Sequence, residues 1–115
     1  DPATFAPLDF RRRIPRFHPE NWSRNQARPD AFHAYAHARG LAPAALALAW
    51  LLDRATHILP IPGTRSADHL RAWVMAPELD LTDDDREEID RLLPPGWAGG
   101  DRSDDLQAAT VERYS

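Results

Sequence analysis

Two kinds of chemically useful side chain are missing from this sequence. Its 115 residues include no Cys and no Lys, so all 14 positive charges outside His are Arg. Without thiols there is no disulfide, no zinc–thiolate site and no cysteine nucleophile. Without Lys there is no Schiff base, and no P-loop, whose phosphate grip depends on that residue. Base bias in the gene accounts for an all-Arg composition. The chemical candidate that remains is the stretch Ile61-Pro62-Gly63-Thr64-Arg65-Ser66-Ala67-Asp68-His69-Leu70. An apolar run ends at Ile61, turns at Pro62-Gly63, and delivers Thr64, Arg65 and Ser66 to the start of a helix. A helix start offers free N–H groups and a positive dipole, and Arg adds a cationic fork matched to a phosphate monoester. The two hydroxyls are further donors. The same residues serve equally as an ordinary helix cap, and both readings stand at this point.

Other constellations are weaker. His33 and His37 lie four apart, a spacing that puts both on one helix face, but a third ligand and the glutamate of a metalloprotease motif are missing. They read as a solvated helix face, with no metal expected. Asp83-Asp84-Asp85 resembles a calcium loop in composition only and reads as helix capping. His57 reads as structural, and Trp22, Trp50, Trp73 and Trp97 as core or interface anchors.

The elements that must position these residues are mostly helical. Residues 1–22 are Pro-rich, carry Arg11-Arg12-Arg13, and show no period, so a loop is expected there. A helix is expected from about Trp22 or Ser23 to Arg39, kinked or restarted at Pro29 and closed by Gly40 in a left-handed conformation. Pro43 opens a second helix, which is apolar around most of its circumference and should be buried on most sides. His57-Ile58-Leu59-Pro60-Ile61 reads as one buried strand. A third helix, capped by Thr64 or Ser66, runs to about Ala76. Thr82 with Asp85 forms a capping-box pattern for a fourth, ending near Leu92. Asp105 to Arg113 is expected to form a short last helix.

A single strand is an anomaly. Its N–H and C=O groups need neighbours on both edges, and parallel neighbours need crossover units that the chain does not contain. The order helix, strand, loop, helix belongs to an α/β unit. The chain is therefore expected to be incomplete by itself, needing a missing N-terminal portion or another chain. The first residues, Asp1-Pro2-Ala3-Thr4, lack a starting Met and do not read as a signal peptide.

Several segments taken together resemble the aldo-keto reductase superfamily. They are Arg11-Arg12-Arg13 with Pro15-Arg16-Phe17, Glu20-Asn21, Asn25, the run Gly40 to Leu52, Ile58 to Arg65, His69-Leu70, and Leu81 to Asp85. They occur in the family's order and match its region after the seventh barrel strand. The resemblance implies the C-terminal fragment of a (β/α)8 TIM-type barrel, here mostly helices with one strand. It also implies NADP(H)-dependent reduction of aldehydes or ketones. In the family, the positions matching Gly63, Thr64 and Arg65 grip the 2′-phosphate of NADP, and that matching His69 lies at the adenosine phosphate end. The family pattern continues with Glu and Asn contacting adenine; here Ala72 and Trp73 stand instead, and a packing role is expected for Trp73. The catalytic Asp, Tyr, Lys and His of the family belong to earlier strands and have no counterpart here. Tyr35 and Tyr114 fall in helical or tail positions. The segment from Asp9 to Glu20 corresponds to a loop that covers cofactor and substrate in the family, its arginines near the pyrophosphate, although its own residues read rather as an ordinary solvated loop.

Taken as one unit from 1 to 115, the chain is expected to bind NADP(H) and a small carbonyl substrate only as part of a complete protein. A catalytically inactive relative acting as an interaction module, or a non-functional remnant, is the alternative. A net charge of −4 argues against nucleic acid or anionic membrane as a partner. The longest apolar run, Leu41 to Leu52, falls short of the roughly 20 residues that span a bilayer. The absence of Cys fits a cytoplasmic location.

Overall fold

A computed structural model of the chain describes residues 1–103. It contains helices α1 (Pro19–Ala38), α2 (Pro43–Arg54), α3 (Ala67–Trp73) and α4 (Asp83–Leu92), with short 3-10 turns at Pro2–Thr4, Phe10–Arg13, Pro15–Phe17 and Ala76–Glu78. The chain divides into two compact units, one formed by Asp1–Arg28 with the chain from Pro95 on, the other by Pro29–Pro94. The division falls inside α1 at Pro29, whose missing N–H removes one rung of the helix.

The Pro29–Pro94 unit has an apolar core. Phe32 and Ala36 of α1, Leu46 and Ala49 of α2, Leu81 and Ile89 form it, with Tyr35, Leu41, Trp50, Leu79 and Leu93 packed around. Helical spacing explains the choice: 32 and 36, 46 and 49 each fall on one face. Gly40, at φ 68°, ends α1 as expected. Its N–H bonds the His37 carbonyl and that of Leu41 bonds Ala36, both at 2.9 Å. This pair of bonds satisfies carbonyls the helix leaves open and turns Leu41 back onto the core. The capping box at α4 is present: Thr82 accepts from the Asp85 N–H, and the Asp85 carboxylate accepts from Thr82. Asp53 of α2 and Arg86 of α4 form a two-pronged ion pair at 2.7 and 2.8 Å.

The other unit is built differently. Asp1 accepts from the Ala3 N–H and Asp9 from the Arg11 N–H, each starting a 3-10 turn. Proline opens the turn at Pro15 and helix α1 at Pro19, positions where its missing N–H is harmless. Phe5 packs edge-on to Phe17, and Phe17 stacks on Trp22. Among the described residues of this unit, only Asn25 and Gly99 are buried.

Four expectations need correction. Residues 1–22 are not a plain loop: they hold three 3-10 turns and the start of α1, each set by a local Asp or Pro rather than by any long period. The first helix starts at Pro19, earlier than expected, and α3 ends at Trp73. No strand is formed among the described residues. Residues 58–61 join no ladder, the Ile58 N–H turning back to the Ala55 carbonyl at 3.1 Å, and Leu59 and Ile61 are 82 % and 91 % exposed rather than buried. A ladder requires a neighbouring strand, and the described chain supplies none. Finally, α2 buries only the face carrying Ala45, Leu46 and Ala49, leaving Leu48 and Leu52 half-buried and Leu51 exposed. The helix expected over Asp105 to Arg113, and Tyr114, lie outside the described residues.

Candidate functional site

Gly63, Thr64, Arg65 and His69, singled out in the sequence, share one short stretch. Thr64, Arg65, Ser66 and His69 line an open concavity of about 470 Å³, with Gly63 just before it. The Ser66 hydroxyl accepts from the His69 N–H at 3.3 Å, so the capping reading is realised. The Thr64 hydroxyl accepts from the Ser66 N–H at 3.0 Å and closes a tight turn around Arg65. These bonds occupy the Ser66 N–H and one lone pair on each hydroxyl. Arg65 and the His69 ring make no hydrogen bond or ion pair among the described residues, and both are exposed. A Cβ at Gly63 would meet nothing within 4 Å, so an outside group has an open approach to this backbone. With seven residues, α3 has a small dipole; Arg65 is the principal source of positive charge here. The arrangement can hold a monoanionic or dianionic oxyanion group by charge and by the guanidinium fork. It contains no nucleophile poised by a base.

Beside this concavity runs an apolar groove. Leu48 and Leu52 of α2, Leu59, Leu70, Trp73 and Val74 are among its walls. Trp73 is half-buried, and its indole N–H is covered and has no partner among the described residues. It packs, as the sequence suggested, with one donor left over. Leu59, Ile61, Leu70, Val74 and Met75 together expose an apolar surface along this part of the chain.

One polar cluster escaped the sequence reading. Asp85 was recognised as a cap, but its carboxylate is fully buried and also takes a hydrogen bond from the Tyr35 hydroxyl at 2.5 Å and an ion pair from Arg39. Burial pushes the Asp85 carboxyl up, but the Tyr35 and Thr82 hydrogen bonds with the Arg39 charge outweigh it and hold it at about 2. The Tyr35 hydroxyl is raised above its ordinary value, chiefly because it donates to Asp85. That direction suits a permanent donor and opposes acid or base work near neutrality. The cluster ties α1 to α4. The four-residue spacing of Tyr35 and Arg39 was the available signal. His33 and His37 are both exposed on α1, and no group of three metal-ligating side chains occurs among the described residues.

In the other unit, Arg11, Arg12 and Arg16 are engaged within the unit itself. Arg11 pairs with Asp9 at 2.6 Å and lies 4.1 Å over the Phe5 ring. Arg12 donates to the Phe5 carbonyl and Arg16 to that of Gly100. No helix among the described residues is long and apolar enough to cross a membrane.

Comparison with known proteins gives a consistent result. The sequence profile of the aldo/keto reductase family matches residues 4–94. An aldo-keto reductase of Schizosaccharomyces pombe named yakc, its name specifying NADP(+), is 35 % identical over 105 residues, which cover 83 % of this chain and 31 % of the relative. An aldo-keto reductase of Gibberella moniliformis is 28 % identical over 110 residues, covering 96 % of this chain and 33 % of the relative. The chain thus spans about a third of the length of these curated relatives. No solved structure matches.

Proposed function

The chain belongs to the aldo/keto reductase family, and from that premise we propose that it is the C-terminal, cofactor-gripping portion of an NADP(H)-dependent reductase of aldehydes or ketones. The observation that carries this reading is the segment 58–61, which joins no ladder and exposes Leu59 and Ile61, leading through Pro62-Gly63-Thr64 to the exposed guanidinium of Arg65. In a closed (β/α)8 barrel that segment is a strand between two neighbours, and the loop after it faces the site. The exposed Leu59 and Ile61 then become barrel and helix contacts rather than solvated surface. The domain is accordingly residues 1–115 joined to a barrel portion on another stretch of chain, with the strand near 57–61 completed by that portion. A cytoplasmic setting suits a reductase of this kind.

The residues present fit the phosphate end of the cofactor. Arg65 forks onto the 2′-phosphate, and Gly63 admits it close to the backbone. Thr64 holds the turn that aims Arg65, with its hydroxyl on the Ser66 N–H at 3.0 Å. His69, on the same concavity, supports the adenosine phosphate end. Ala72 and Trp73 bring no carboxylate or amide to the adenine, so this portion grips phosphate more than base. When bound, the cofactor supplies a hydride to the carbonyl carbon of a small substrate. The groups that receive the carbonyl and protonate its oxygen belong to the rest of the barrel; the chain has no Lys at all.

The test is cofactor selectivity in the complete protein. Arg65→Ala should weaken NADPH binding by about tenfold or more and leave NADH nearly unchanged, because a lost charge-assisted pair to phosphate is worth roughly 1.5–3 kcal/mol. Equal weakening of both cofactors, or of neither, would remove the 2′-phosphate role.

A further inference from the structure

The unit formed by residues 1–28 and the chain from Pro95 on lacks a buried apolar side chain among its described residues, so something else must set its shape. The two buried residues among those described in it, Asn25 and Gly99, are bonded to each other. The Asn25 amide donates to the Gly99 carbonyl at 2.8 Å and accepts from the Gly99 N–H at 2.7 Å. The same amide nitrogen donates to the Arg16 carbonyl at 3.1 Å. Four residues earlier on α1, Asn21 donates to the Pro15 carbonyl at 3.0 Å. Arg16 closes the circle by donating to the Gly100 carbonyl at 3.3 Å. Three stretches of chain, at 15–16, 21–25 and 99–100, therefore meet in one knot of hydrogen bonds.

The residue types follow from the geometry. Binding both the N–H and the C=O of one residue needs a donor and an acceptor side by side in one short rigid plane, which an amide has; an ionised carboxylate has no donor and a hydroxyl has only one oxygen. Gly100 sits at φ 81°, and a Cβ there would come within 2.6 Å of the Asn21 amide nitrogen and 2.9 Å of the Pro15 carbonyl carbon. The turn at 15–16 is thus gripped from both sides, by α1 and by the 99–100 loop. Partners 74 residues apart in sequence make this a tertiary clasp and not a local cap.

We propose that Asn25 is a positioning residue: its amide clasps Gly99–Gly100 across the Pro15–Phe17 turn and so fixes the arginine-bearing segment Phe10–Phe17. This rests on the family resemblance, which implies that the matching segment covers the cofactor in the complete protein. With the clasp in place the segment is held ready, and the cofactor does not have to order it on binding. Losing the clasp therefore weakens cofactor binding without altering the chemical step.

The experiment compares Asn25→Ala and Asn25→Asp with the parent. Asp keeps the acceptor for the Gly99 N–H but turns a carboxylate oxygen onto the Gly99 and Arg16 carbonyls in place of the two donors. In the 115-residue chain, hydrogen exchange at the Gly99 amide should be slow in the parent and fast in both variants. In the complete protein, Asn25→Ala should raise KM for NADPH about tenfold with kcat changed less than about twofold, and Asn25→Asp should raise it at least as much. Fast Gly99 exchange in the parent would overturn the clasp itself. Lost protection with an unchanged KM would overturn its positioning role. Arg65→Ala, run alongside, separates the two readings: if it leaves KM for NADPH unmoved, the cofactor assignment fails whatever Asn25 does.

Discussion

The two units of this chain hold themselves together by opposite means. Pro29–Pro94 buries Phe32, Ala36, Leu46, Ala49, Leu81 and Ile89 and adds one fully buried carboxylate with every neighbour satisfied. The unit made from the two ends of the chain buries an asparagine and a glycine instead, and leans on aromatic edges and turn bonds. Apolar burial is tolerant of shape; a hydrogen-bond clasp is not. The difference teaches where precision is placed: the first unit is a scaffold, and the second is a loop assembly held in one arrangement by a few directional bonds. The tryptophans divide evenly between them, Trp50 and Trp73 in the first and Trp22 and Trp97 in the second. Their indole N–H resonances can therefore report each unit separately.

The largest break in the comparison should come from Leu46→Ala. Leu46 is fully buried, and its truncation should destabilise the Pro29–Pro94 unit by about 3 kcal/mol, with Trp50 and Trp73 losing their native signals first. Asp85 comes next, and its effect has a pH signature. Its folded carboxyl sits at about 2 against an ordinary 3.8, so the stabilisation, about 2 kcal/mol, is fully present above pH 4. It should fade as pH falls from 4 toward 2, and Asp85→Asn should flatten that part of an acid titration monitored by near-UV circular dichroism. Asn25→Ala should destabilise the other unit by about 2 kcal/mol, because two carbonyls and one N–H lose their partner in a buried setting. Trp22 and Trp97 should respond while Trp50 does not; a response from all four would mean the units unfold as one. The smallest effect is expected from Arg86→Ala, which removes an exposed ion pair to Asp53. The melting temperature should shift slightly at low salt, and the shift should vanish at high salt.

What could be read from the sequence was local. Gly40, Pro43, Ser66 and the Thr82–Asp85 box each act within four residues and were found where expected. The 3-10 turns of residues 1–22 were missed because a turn started by one Asp or Pro leaves no period to detect. The strand at 57–61 was inferred from β-branched residues, but strand formation is a property of pairs, and no partner is present among the described residues. The grouping of Thr64, Arg65 and His69 was visible because all three lie in one short stretch. Asp85 with Tyr35 and Arg39, and Asn25 with Gly99, were not, because their partners lie 46 to 74 residues away. Nothing in the types of those residues announces which distant carbonyl or hydroxyl they will meet.

Whether this chain grips NADPH only as part of a larger barrel is decided by a thermal melt of the 115-residue chain with and without NADPH. The melting temperature should be indifferent to NADPH and become responsive once the chain is joined to the remaining barrel. A melting temperature that NADPH raises in the isolated chain would contradict it, and would make the chain a self-sufficient cofactor-binding module.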